Sequence, residues 1–173
     1  MTTKKDQTEV DSAVEHKFAE MAILCRDWVL TQKFEPDEFP DPSVFMFDRT
    51  KNEFPFKMSE IKMPLELWEQ GTAMEAIRQV ARKHRSIAVA IYATLGDPTT
   101  KEEFFGASLH HFKSGGTGFL WPMNRVGNKI MFGEPIASTG RTVTVRQTHR
   151  ARHEMASITV RPPDPHASFE VVR

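Results

Sequence analysis

Cysteine is almost absent from the 173 residues: Cys25 stands alone. A single thiol excludes an internal disulfide framework and every CxxC redox or metal motif. Long apolar runs are missing too. The longest, Ser86 to Leu95, holds ten residues, about half of the ~20 that a membrane-crossing helix needs. The first residues, Met1 to Asp11, carry Lys4, Lys5, Asp6 and Glu9, and lack the apolar core and small-residue cleavage site of a secretory leader. A reducing, cytoplasmic or otherwise intracellular setting is expected, with no signal peptide, no transmembrane segment and no membrane partner. Net charge is also lacking, at zero overall.

What is present is ordinary for a packed domain. The apolar fraction of 39% and charged fraction of 27% lie far from the composition of disordered chains. The length suits one domain over residues 1–173, with a polar arm at 1–11 and a proline-containing tail at 162–173. The neutral total hides an asymmetry: residues 1–75 hold 9 Lys and Arg against 16 Asp and Glu, and residues 76–173 hold 14 against 7. An acidic half thus precedes a basic one, which bears on partners or on how the halves pack.

Periodicity organises the chain. Ser12 and Glu15 form a capping-box pattern, after which Val14, Phe18, Met21, Cys25 and Trp28 recur every three or four residues as the apolar stripe of a first helix ending before Pro36. Residues 34–58 hold six phenylalanines and four prolines. Here Val44–Asp48 and Phe54–Met58 read as a hairpin, its second strand held at a sheet edge by Pro55. Pro64 opens a short helical turn. Thr72 with Glu75 supplies a second capping box, and Met74, Ile77, Ala81 and His84 mark the buried face of the helix that follows. Ser86–Thr94 is apolar on both faces, as in a strand covered on both sides. Strands are further expected at Phe104–Phe112, Lys129–Phe132, Arg141–Arg146 and Met155–Arg161. The expected fold is α+β: two main helices on a mainly antiparallel sheet of about five to seven strands.

Chemistry is hard to find. Ser114-Gly115-Gly116-Thr117-Gly118 resembles a phosphate nest only superficially, because no Gly-Lys-Ser/Thr ending follows. A turn between strands is expected there. His149 and His153 are weak candidate metal ligands, four residues apart, without an HExxH pattern and among arginines. His110 and His111 are consecutive in a strand, so they point to opposite faces. Cys25 sits on an apolar stripe as a structural thiol. No catalytic residue, cofactor or metal is expected, and binding is favoured over catalysis.

Two surfaces carry the functional expectations. Arg141, Arg146, Arg150 and Arg152 form a basic stretch that suits nucleic acid or an acidic partner, although no stacking aromatic lies between Phe132 and Phe169. Phe39, Phe45, Phe47, Phe54, Phe56 and Phe169 form an aromatic set that is either a lid over the core or an anchor for another subunit. The leading expectation is a non-catalytic interaction or assembly module that associates with itself or with other protein subunits. A nucleic-acid-binding accessory protein, and a small-ligand-binding protein or enzyme, are the alternatives.

Overall fold

The computed structural model describes residues 4–48, 56–97, 99–113, 115–137, 141–145, 157–160 and 171–172. Among them the chain runs through α1 (Lys4–Thr31), β1 (Ser43–Asp48), β2 (Lys57–Ile61), α2 (Leu65–Glu69), α3 (Ala73–His84), β3 (Ser86–Gly96), β4 (Glu103–His111), β5 (Gly115–Val126), β6 (Lys129–Phe132), β7 (Ile136–Ala137), β8 (Arg141–Val145), β9 (Ser157–Val160) and β10 (Val171–Val172).

The expected α+β class is observed: three helices and a curled antiparallel sheet of about six strands. These six are ordered β2-β1-β3-β4-β5-β6, with β7 paired to β5 and β8, β9 and β10 continuing from the end of β3. The expected hairpin forms, but its second strand lies at Lys57–Ile61 and not at Phe54–Met58, with Val44 opposite Ile61 and Asp48 opposite Lys57; Pro55 lies outside the described residues. Among the described strands β2 pairs with β1 alone, at an edge.

The alternation within β3 separates two cores. Ala88, Ala90 and Tyr92 face α1, joining Val10, Val14, Phe18, Phe47, Phe105 and Trp121. Val89, Ile91, Ala93 and Leu95 face the other way, joining Met46, Trp68, Met74, Ile77 and Phe104 beneath α2 and α3. Small alanines on the α1 side let the long helix lie close to the sheet, while Tyr92 fills the deeper space. Three layers result, with the sheet between the helices.

Several expectations need correction. Residues 4–11, read from the sequence as a polar arm, form the first two turns of α1, and Val10 is 1% exposed. Ser12 and Glu15 therefore lie inside the helix and cap nothing. Thr72 does stand at the start of α3, but it makes no side-chain capping bond; its hydroxyl donates to the Leu67 carbonyl at 3.4 Å. His84 is exposed, leaving Ala73, Met74, Ile77 and Ala81 as the buried face of α3. Gly115–Gly118, read as a turn, open the long strand β5, with His111 opposite Gly115 and Ser108 opposite Gly118. A Cβ on Gly116 would lie 2.6 Å from the Leu109 carbonyl oxygen, so glycine is needed there for close strand approach, not for a turn. Pro122 falls where β5 passes from pairing with β7 at Phe119 and Leu120 to pairing with β6 at Met123–Val126.

Candidate functional site

The described residues bring few polar side chains together inside the fold. Besides Thr94 of β3, 0% exposed, the buried one is His111, at the end of β4 on the α1 side and 4% exposed. Its Nδ1 lies 3.6 Å from Asp11 Oδ1 and its Nε2 lies 3.9 Å from Glu15 Oε1. The helical spacing of four places both carboxylates on one face of α1, over the imidazole. Neither ring nitrogen has a hydrogen-bond partner among the described residues. Burial lowers the His111 pKa from its ordinary value, while Asp11 and Glu15 pull it upward. Desolvation is the larger effect, so the neutral imidazole is favoured.

His110 is directed to the α3 side, as strand alternation requires. Its pKa is lowered by burial and then by Arg78 and His111, and its ring meets Phe112 edge-on at 5.3 Å. The two carboxylates beside His111 approach opposite nitrogens, an arrangement that does not converge on one ion. No group of three His, Cys, Asp or Glu among the described residues is placed to hold a metal.

Cys25 is half-buried, and burial, followed by the charge of Glu60, pushes its thiol up to about 11. It remains a thiol near neutral pH and is a poor nucleophile. Tyr92 donates its hydroxyl proton to the Phe18 carbonyl at 3.1 Å; burial, then Cys25, raises its pKa far above the usual phenol value. This bond and the stacking of Phe18 on Tyr92, centroids 5.8 Å apart, tie α1 to β3.

The expected surface residues are distributed unevenly. Phe47 is fully buried, and Phe45 and Phe56 are half-buried against the same core, with Phe47 and Phe56 packed edge to face at 5.2 Å. Phe47 therefore fills this chain's own core and does not serve as a surface anchor. Phe39 is half-buried beneath the Arg125 guanidinium, 4.7 Å from its ring centroid. Arg125 also donates to the Glu38 carbonyl at 2.6 Å and the Glu35 carbonyl at 3.3 Å, pinning the proline-rich lead-in across the end of β5. Phe54 and Phe169 lie outside the described residues, as do Arg146, His149, Arg150, Arg152 and His153. Arg141 begins β8.

Exposed apolar surface gathers elsewhere, on the C-terminal half of α1. Ile23 is 47% exposed, Leu24 54%, Trp28 54% and Leu30 41%. Leu24 and Trp28 are one turn apart, and Ile23 and Leu30 two turns apart; at about 100° per residue these are two separate lines on the outer side of the helix, with Asp27 and Thr31 between them. The sequence spacing puts Trp28 in the core, but Val29 takes that place.

The cause is the sheet beneath. Val10 and Trp28 are separated by five turns of ~3.6 residues and would share one line on an ideal helix, yet one is buried and the other exposed. The face that α1 turns to the protein rotates as it crosses β4, β3 and β6, because successive strands of a sheet are twisted relative to one another. A strict 3-and-4 spacing cannot register that rotation. The signal in the sequence is the excess of apolar residues between Ile23 and Leu30, more than one stripe can absorb.

No family model matches the sequence, no curated protein matches it, and no solved structure matches its fold.

Proposed function

We propose that this chain is an interaction module that joins a protein assembly through the C-terminal half of α1. The observation that carries this reading is the half-exposure of Ile23, Leu24, Trp28 and Leu30 on the outer side of a helix whose opposite side is already committed to the core. Exposed apolar groups are common singly, but four of them gathered within one eight-residue stretch of helix, a tryptophan among them, have the character of a contact site. Tryptophan at the centre of a patch is the residue type most often found to dominate binding energy. Asp27 and Thr31 lie between the two apolar lines, and Arg26 holds the Asp27 carboxylate at 2.7 Å.

The test is a comparison of the full chain with its Leu24→Glu and Trp28→Glu variants, by light scattering and by co-purification. Both positions are exposed, so either change should alter folding stability by less than about 0.5 kcal/mol. Association is expected to fall at least tenfold while the circular dichroism spectrum is kept. Unchanged association in both variants would refute the assignment of this face.

A further inference from the structure

We infer that the α3 side of the sheet, where β4 ends and β5 begins, binds single-stranded nucleic acid, a base stacking on Phe112 beside Gly116 and Gly118 while Arg78 and Arg82 meet phosphates. This surface lies across the sheet from α1, and the inference does not rest on the interaction reading above.

Strand alternation builds the platform. Ala107 and Leu109 of β4 turn to the α1 core, so Ser108 and His110 turn to the α3 side. Directly paired residues share a face, and Gly118 stands opposite Ser108 while Gly116 stands opposite His110. All four are partly exposed. The approach of the Leu109 carbonyl requires Gly116 to lack a Cβ, and the result is a strip of sheet that presents backbone in place of bulky side chains. Phe112, 42% exposed, stands at the end of this strip. Its N–H donates to the Ile87 carbonyl at 3.1 Å, and its ring meets His110 edge-on at 5.3 Å. A partly exposed ring fixed beside a flat strip suits an unstacked base, because every base has a π-face and such stacking tolerates any sequence.

Cations border the same place. After burial, the charge of Arg78 is what lowers the His110 pKa, so this guanidinium lies near the strip. Arg82 follows one turn later on the same flank of α3 and is exposed. Arg85, at the end of α3, and Lys113, next to Phe112, are exposed as well. The bond between Phe112 and Ile87 brings these two chain positions to one end of the sheet. Arg78 pairs with Glu75 at 3.5 Å, whereas Arg82, Arg85 and Lys113 make no ion pair among the described residues. Asp48 is also at this end, opposite Ser86, and accepts its hydroxyl proton. The four cations outnumber Glu75 and Asp48, which favours a polyanion. An acidic peptide would answer the charge but leave Phe112 without a stacking partner, and a duplex keeps its bases stacked inside.

The experiment measures fluorescence anisotropy of labelled mixed-sequence oligonucleotides with the full chain over a salt series. Single-stranded RNA, single-stranded DNA and the DNA duplex are compared. Single strands are expected to bind at low salt, the duplex at least tenfold more weakly, and the tighter of the two single strands identifies the natural ligand class. Phe112→Leu, which keeps apolar bulk and removes the π-face, is expected to weaken binding about tenfold, and Phe112→Trp to retain it. Arg82→Gln should weaken binding and lower the slope of log affinity against log salt by about 0.7, the contribution of one phosphate contact. Lys17→Gln, on α1 across the sheet, should change neither. Single strands that do not bind at low salt overturn the inference, as does a duplex bound equally well. Binding that ignores Phe112→Leu, or that falls as much in Lys17→Gln as in Arg82→Gln, reports diffuse charge attraction and overturns it too. Polyglutamate that binds the unaltered chain and the Phe112→Leu variant alike, and displaces the oligonucleotide, assigns an acidic protein to this surface in its place.

Discussion

At the scale of single residues, the structure sets His111 apart as a base held in its neutral form. Its pKa lies below the ordinary 6.5 because burial outweighs the two carboxylates of α1. Histidine in the unfolded chain takes up its proton near 6.5, while the folded chain resists until lower pH. Between those two values the unfolded state binds more protons, so stability falls as pH falls through that window and is fully present above it. His110 acts in the same direction from the other face. Thermal unfolding followed from pH 7.5 to 5.5 should therefore show a loss of stability on acidification, and His111→Gln should shallow that dependence. A chain whose stability rises in acid, and does so less in the variant, would show that Asp11 and Glu15 dominate, and an unchanged slope in the variant would show that His111 does not carry the dependence.

At the scale of elements, β5 shows what patterning could not reveal. The two-faced apolar run of β3 was legible because Val89 and Ile91 alternate with Ala88 and Ala90 without interruption, and the position of β6 was legible from Lys129–Phe132. β5 was hidden because Gly115, Gly116 and Gly118 at its start and Pro122 in its middle are residues that ordinarily end strands. Their reasons are tertiary: Gly116 makes room for the Leu109 carbonyl, and Pro122 lies between two edge partners. Gly116→Ala should accordingly cost about 1–3 kcal/mol, as overpacking does, whereas Thr117→Ala at the exposed neighbouring position should cost less than about 0.5 kcal/mol. Urea unfolding of the two variants checks this. Equal stabilities would mean that the β4–β5 approach is looser than the structure describes.

The exposed face of α1 was half legible in the same sense. The stripe through Val14 and Phe18 falls on the core side because the first part of the helix obeys its period. Trp28 joins that stripe only if the period is extended over a sheet that twists, and the same twist leaves Leu24 and Trp28 uncovered beside Ile23 and Leu30. The aromatic segment from Phe34 to Phe56 invites an interface reading through composition alone. Composition does not distinguish Phe47, which the β1–β3 pairing turns inward with Ala88, from a side chain facing solvent.

At the scale of the molecule, the sheet is sandwiched between α1 on one face and α2 with α3 on the other, and the outer side of α1 carries Ile23, Leu24, Trp28 and Leu30, more of the exposed large apolar side chains than any other described element. Trp68 and Trp121 are buried, while Trp28 is half exposed, which makes Trp28 a natural reporter of whether that surface becomes covered. Acrylamide quenching of tryptophan emission, measured on the dilute chain and on the concentrated or partner-bound chain, tests the central claim most directly. Quenching should be dominated by Trp28 when dilute and should fall several-fold on assembly, with a Trp28→Phe variant showing little change between the two states. A Trp28 that stays as quenchable in the assembled state as in the dilute one would contradict the assignment of α1 as the contact face.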